Sequence, residues 1–211
     1  VIIEAVYERY FSRLLAGDRV ECKKIVEEFL AADFDIRELY LNLFQRSLYQ
    51  VGELWESNRI SVATEHLATS ITETLLVLAY PALFSADRIG KKAVISCGVN
   101  EFHQVGGRIV ADIFELNGWD SYFLGANTPA QDLVQYIDEK QPDLLGMSLS
   151  IYFNMPSLVE TVVEVRASFP RLDIVLGGQA FRWGGAEAVK DLGNVIYVPS
   201  ITELENLIRE T

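Results

Sequence analysis

The sequence is poor in the residues that most often carry metal or redox chemistry. It has two histidines and two cysteines among 211 residues. Cys22 and Cys97 are too few and too far apart to form a disulfide framework or a Cys-x-x-Cys pair, and they read as reduced thiols of a cytoplasmic protein. Basic charge is scarce as well. Eighteen Lys and Arg stand against 30 Asp and Glu, for a net charge of -12 and a pI of about 4.6. Such a surface repels phosphate backbones and anionic headgroups, which argues against direct nucleic-acid binding by this chain and against a basic membrane patch. The apolar stretch from Leu75 to Phe84 is too short to span a bilayer and contains Pro81. No signal-peptide pattern, internal repeat or low-complexity run is evident. The chain begins at Val1 rather than Met, so it reads as an excised or processed part of a longer protein. An output domain, fused or separate, is expected outside it.

What is present is apolar patterning, with 50% hydrophobic residues, ample for a packed core. The period of that pattern changes along the chain. Over residues 1–84 it is helical. Ile2, Val6, Tyr10 and Leu14 recur at helical spacing and Gly17 ends the run. Asp18 with Glu21, and Asp35 with Glu38, have the form of capping boxes. Asn58 breaks the third helix and Ser61 caps a fourth, which runs to the Tyr80-Pro81 region. Short links between four helices predict a four-helix bundle.

Beyond residue 91 short β-type runs alternate with helical ones, at Ala93–Cys97, Ser121–Leu124, Leu144–Ser148, Ile174–Leu176 and Val195–Val198. Thr128-Pro129-Ala130-Gln131 reads as a helix start with Pro129 at the first helical position. This alternation predicts a parallel sheet covered on both faces, with flavodoxin-like strand order, over residues 91–211. The fold class is therefore α plus α/β, with residues 84–92 as the linker.

In such a sheet, ligands bind above the carboxyl ends of the strands. After the first strand come Glu101, Phe102, His103 and Gly106, where a carboxylate stands two residues from an imidazole. A carboxylate that takes one imidazole N–H fixes the tautomer and raises the basicity of the other nitrogen. After the third strand come Ser148 and Ser150, and after the fourth the pair Gly177-Gly178, which leaves room for a flat or bulky group. The second histidine, His66, lies beside Glu65 near the start of the fourth helix.

Taken together, Glu101-x-His103-x-x-Gly106, Ser148-x-Ser150 and Gly177-Gly178 resemble the cobalamin-binding domain of methionine synthase, methylmalonyl-CoA mutase and corrinoid proteins. The run Leu54 to Leu67 is similar to the helical cap that precedes this domain. Within the family, Trp55, Val62, Glu65 and His66 match most closely the spacing of CarH-type light-sensing adenosylcobalamin repressors. The resemblance covers roughly residues 1–205. It implies cobalamin bound base-off and His-on, with His103 as the lower cobalt ligand. The displaced nucleotide tail would pass Ser148 and lie beside the glycine pair. Trp55, Val62, Glu65 and His66 would then contact the upper face.

Three residues depart from the pattern, the slightest being Ser150, where Leu is more usual. Glu101 replaces Asp, which keeps the charge on a longer arm. Glu56 stands where those sensors carry a histidine that takes the upper cobalt position after photolysis. The resemblance favours a non-enzymatic sensor reading light through adenosylcobalamin. A corrinoid methyl carrier of a methyltransferase system, using methylcobalamin, stays open as the alternative. So does a photoreceptor holding a bilin as well as cobalamin, lined by Tyr7, Tyr10, Tyr49, Trp55, Tyr152, Phe153, Phe181 and Trp183. Sensors of this type assemble through their bundles, so a homo-oligomer is among the arrangements the resemblance allows.

Overall fold

The computed structural model describes residues 2–32 and 34–210. The chain divides into two compact units, Val1–Leu83 and Phe84–Thr211.

The first unit is helical. It contains α1 (Glu4–Leu15), α2 (Arg19–Ala31), α3 (Ile36–Leu39), a π-helical stretch (Tyr40–Gln45), α4 (Arg46–Glu56) and α5 (Val62–Leu83). The α3–π–α4 run is continuous, so four rods surround a core of Tyr7, Tyr10, Leu14, Ile25, Leu43, Phe44, Ala68 and Leu75. Asp18 caps α2 by accepting from Glu21 N–H at 3.1 Å. The reciprocal arm of the box is absent, because the Glu21 carboxylate pairs with Arg9 of α1 instead. Asp35 caps through Arg37 N–H at 2.9 Å rather than through residue 38, and the Glu38 carboxylate accepts from Asn42 at 2.9 Å. Ser61 accepts from Thr64 N–H at 3.1 Å and opens α5. That helix continues through Pro81 to Leu83. Proline in the last turn removes only one of the terminal bonds, so it does not end the helix at Tyr80.

The second unit is a five-stranded sheet in the order β2-β1-β3-β4-β5, with every pair parallel. The strands are β1 (Lys92–Cys97), β2 (Asp120–Phe123), β3 (Leu144–Ser148), β4 (Asp173–Gly177) and β5 (Val195–Tyr197). The helices are α6 (Val105–Leu116), α7 (Ala130–Lys140), α8 (Met155–Ser168), α9 (Gly185–Val189) and α10 (Ile201–Glu210). The chain steps from β1 to β2 in one direction and from β3 to β4 in the other. Right-handed crossovers therefore put α6 on one face and α7 and α8 on the opposite one. Val94, Leu145, Ile174 and Leu176 of the strands meet Leu133, Ile137, Leu158, Val162 and Val165 of α7 and α8 in the main core. The central strands β1 and β3 are buried almost throughout, as a parallel sheet covered on both faces requires.

Two local readings are corrected. Pro129 is not the first helical residue of α7 but its extended N-cap (φ -60°, ψ 143°). Its carbonyl accepts the first helical bond from Leu133 N–H at 3.0 Å, a role that asks nothing of the missing proline N–H. The segment 84–92, expected as a linker, is fastened to the sheet unit, and its last residue, Lys92, opens β1. Ile89 N–H donates to the Gly118 carbonyl at 3.0 Å. Arg88 pairs with Glu115 at 2.6 Å and donates to the Trp119 carbonyl at 2.7 Å. Among the described residues, no helix is long and apolar enough to cross a membrane.

Candidate functional site

The strand order reverses between β1 and β3, so the chain leaving these neighbours turns to opposite faces and opens a crevice at their carboxyl ends. The loop after β1 carries Glu101 and His103, and the loop after β3 carries Ser150 and Ile151. The Glu101 side chain joins the two loops. It is fully buried, and its two oxygens have different partners. Oε1 accepts from His103 Nδ1 at 2.6 Å and from His103 N–H at 2.9 Å. Oε2 accepts from Ser150 N–H at 2.8 Å and Ile151 N–H at 2.9 Å. The longer arm of glutamate thus spans the crevice while it holds the imidazole.

Burial by itself would raise the pKa of this carboxyl. The bonds from His103, Ile151 and Ser150 outweigh that effect and hold it below its ordinary value of 4.5. The sign of the pH dependence follows. A depressed folded-state pKa contributes stability that is complete above the unfolded value and is lost as pH falls through the folded one. Denaturant unfolding should therefore show Glu101→Gln less stable than wild type at pH 7, with the gap narrowing below about pH 4. A gap independent of pH would mean that the charge does not hold these donors.

With Nδ1 committed to Glu101, ligation by His103 would use Nε2, and the side chain is half exposed. Among the described residues no group of three or more His, Cys, Asp or Glu gathers to enclose a metal ion. A lone, carboxylate-backed imidazole fits a metal whose other positions are filled by an organic ring, because such a metal needs only an axial donor from the protein. The crevice has the matching character. Phe102, Ile151, Tyr152 and Phe153 expose apolar surface on these loops.

Ser148 is nearly buried at the end of β3, and its Oγ lies 3.5 Å from where a Cβ on Gly106 would stand. Gly107 brings the first turn of α6 against Cys97 Sγ and the Phe123 ring, each 3.1 Å from a Cβ built there. The glycine pair meets the protein itself. A Cβ on Gly177 would lie 3.1 Å from the Val198 carbonyl oxygen, and one on Gly178 would lie 2.2 Å from the Leu149 oxygen. At Gly178 the missing Cβ is what lets the Leu149 backbone of the β3 loop approach.

Trp55, Val62, Glu65 and His66 belong to the helical unit. Trp55 lies in the last turn of α4 and the other three lie in the first turns of α5, so the turn at residues 57–61 places all four at one end of the bundle. Trp55 and Val62 are exposed. The Glu65 carboxylate accepts from Thr69 Oγ1 at 3.0 Å and is hydrogen-bonded to His66 Nδ1. Both histidines of the chain thus have Nδ1 held by a glutamate.

The aromatics named for a bilin belong to both units. Tyr7, Tyr10 and Phe181 are core residues, Phe181 stacking on Tyr197 at 5.0 Å, whereas Phe153 is exposed. The Trp183 side chain lies outside the described residues. Burial raises the Cys22 thiol to about 11 and the Cys97 thiol to about 12. Neither is a reactive thiolate at neutral pH, so neither suits a thioether link.

The sequence reading missed three asparagines. Asn127 Oδ1 accepts from Asn100 N–H at 2.9 Å, and Asn154 Nδ2 donates to the Asn100 carbonyl at 3.1 Å. Their signal was slight: Asn tolerates the left-handed backbone found at Asn100 (φ 63°) and Asn127 (φ 53°).

A doubly wound sheet with a carboxylate-held imidazole at its switch point, and a helical unit before it, has the form of a cofactor-binding module. The chain belongs to the B12-binding domain family. Models of that description match residues 6–78 and 91–205. It is 30% identical over 170 residues to the HTH-type transcriptional repressor CarH of Myxococcus xanthus, covering 79% of this chain and 55% of the repressor. It therefore spans little more than half the length of that relative. It is 22% identical over 191 residues to trimethylamine corrinoid protein 1 of Methanosarcina acetivorans, covering 88% of this chain and 87% of that protein. The fold is similar to that of the monomethylamine corrinoid protein of Methanosarcina barkeri, with a TM-score of 0.84, 14% identity and 98% of each chain covered.

Proposed function

We propose that this chain is a cobalamin-binding sensor module in which His103 Nε2 is the lower cobalt ligand and light acts through adenosylcobalamin. The observation that carries this reading is the set Trp55, Val62, Glu65 and His66 at one end of the bundle, in which Trp55, Val62 and His66 are exposed and Glu65 is mostly buried. A hydrogen-bonded Glu–His pair beside an exposed indole suits a large polar upper ligand better than a methyl group. Bound adenosylcobalamin would supply a light-labile cobalt–carbon bond. Glu101 would hold His103 in the ligating tautomer, while Ser148 and the strand ends would take the displaced nucleotide. Trp55 would pack on the adenosyl group, and Glu65 with His66 would hydrogen-bond its ribose. Loss of that group would remove their contacts and so change the packing of the bundle or its partners. With Glu56 in place of a histidine, the axial site vacated by light would not take up an imidazole at that position.

The partners proposed are cobalamin, an output domain and a second copy of the chain, in a cytoplasmic setting. The alternative, a corrinoid methyl carrier, is supported by the trimethylamine corrinoid protein, which the chain matches over nearly its full length.

Illumination separates the two. The protein loaded with adenosylcobalamin in the dark should change its absorption spectrum under green light, with a change in apparent size. A spectrum that stays constant under illumination sinks the sensor reading. Methyl transfer from a donor to the reduced bound corrinoid and on to a thiol, without a light response, would establish the carrier.

A further inference from the structure

We infer that Asn127 and Asn154 are positioning residues for His103, acting through the Asn100–Glu101 segment. This rests on the reading of His103 as the cobalt ligand. Both backbone polar groups of Asn100 are taken by side chains from two other loops. Asn127, after β2, accepts its N–H at 2.9 Å. Asn154, at the start of α8, donates to its carbonyl at 3.1 Å. Asn127 then uses its own N–H to hold the Glu101 carbonyl at 3.1 Å. On the other side, the Glu101 carboxylate takes the Ser150 and Ile151 N–H groups.

The two residues before Phe102-His103 are thus gripped from β2 on one flank and from β3 on the other. Asn100 and Asn127 both adopt a left-handed backbone, which asparagine accepts more readily than other non-glycine residues, so the turn itself is compatible with these hydrogen bonds. A ligand loop ordered on folding does not have to be ordered again on binding, so the grip should show as affinity and as ligation geometry.

The two asparagines have opposite chemistry, and this makes the test specific. Asn127 acts as an acceptor, so Asn127→Asp keeps its bond and Asn127→Gly loses it without straining the backbone. Asn154 acts as a donor, so Asn154→Asp loses its bond at nearly constant size. The probe is cobinamide, which has no nucleotide base, so a lower nitrogen ligand must come from the protein. The readouts are its Kd, the axial-nitrogen splitting in the Co(II) electron paramagnetic resonance spectrum, and hydrogen exchange of the Asn100 amide without ligand. Asn127→Gly and Asn154→Asp should each weaken binding on the order of 10-fold and blur the nitrogen splitting. Asn127→Gly should also speed Asn100 exchange, with Asn127→Asp close to wild type in all three. Wild-type affinity, splitting and exchange in Asn127→Gly would overturn the inference while leaving His103 as ligand. Absence of nitrogen splitting in the wild type would instead overturn the ligand reading itself.

Discussion

His103→Ala should bind cobinamide with no axial nitrogen on cobalt. The weakening should be at least on the order of the 10–100-fold that loss of an outer hydrogen-bond partner of a metal ligand costs. The expectation follows from the donor inventory. The chain has two histidines, and the other, His66, lies in the helical unit with Nδ1 bonded to Glu65. With intact cobalamin the loss should be smaller, because the cofactor's own base can return to cobalt and the spectrum should become base-on. Glu101→Gln is the companion variant. It keeps the imidazole and removes the charge behind it, so it should retain a weakened nitrogen signal. An undiminished axial-nitrogen signal in His103→Ala would end the assignment.

The second large effect is structural. Gly178→Ala should cost about 4 kcal/mol or more, a range reached only by a few mechanisms such as backbone strain and severe overpacking. Both operate here. The residue has φ 111° and ψ 173°, a region open essentially to glycine alone. The added Cβ would also stand 2.2 Å from the Leu149 oxygen and 2.8 Å from the Leu149 carbonyl carbon. That neighbour is backbone and cannot rotate away. Leu149 lies between Ser148 and Ser150, so relief of the clash would displace the loop that Glu101 holds. Gly184→Ala is the control. Its φ is 96°, but a Cβ there meets nothing within 4 Å, so only the conformational cost of about 1–2 kcal/mol remains. Thermal unfolding of the two variants side by side measures the difference. Equal melting temperatures would show that the close approach to Leu149 is not decisive.

The fold was largely legible along the chain because its periods are clean. Helical spacing through Leu14, the caps at Asp18 and Ser61, and five short β-type runs mark elements that the structure contains. What failed to read through was local competition for the same groups. Glu21 could serve Asp18 or Arg9, and only the packing of α1 on α2 brings Arg9 close enough to take it. Residues 84–92 carry the composition of a linker, yet Arg88 finds Glu115 and the Trp119 carbonyl after the sheet has formed. The π-helical stretch at Tyr40–Gln45 has no sequence signature of its own.

At the site, the sequence by itself determined which side chains were available. It provides a single imidazole after the first strand, a carboxylate two residues before it, serines after the third strand and glycines after the fourth. Side-chain chemistry is local, and the order of βα units limits the topology, so these could be listed without coordinates. Only the tertiary structure decided what they bond to. It assigned one Glu101 oxygen to His103 and the other to the β3 loop, brought the Leu149 backbone against Gly178, and recruited Asn127 and Asn154 to the Asn100 peptide. The Asn100 contacts and those of Glu101 with the β3 loop join residues 27 to 54 positions apart. Their partners are chosen by strand order and register, which no spacing along the chain encodes.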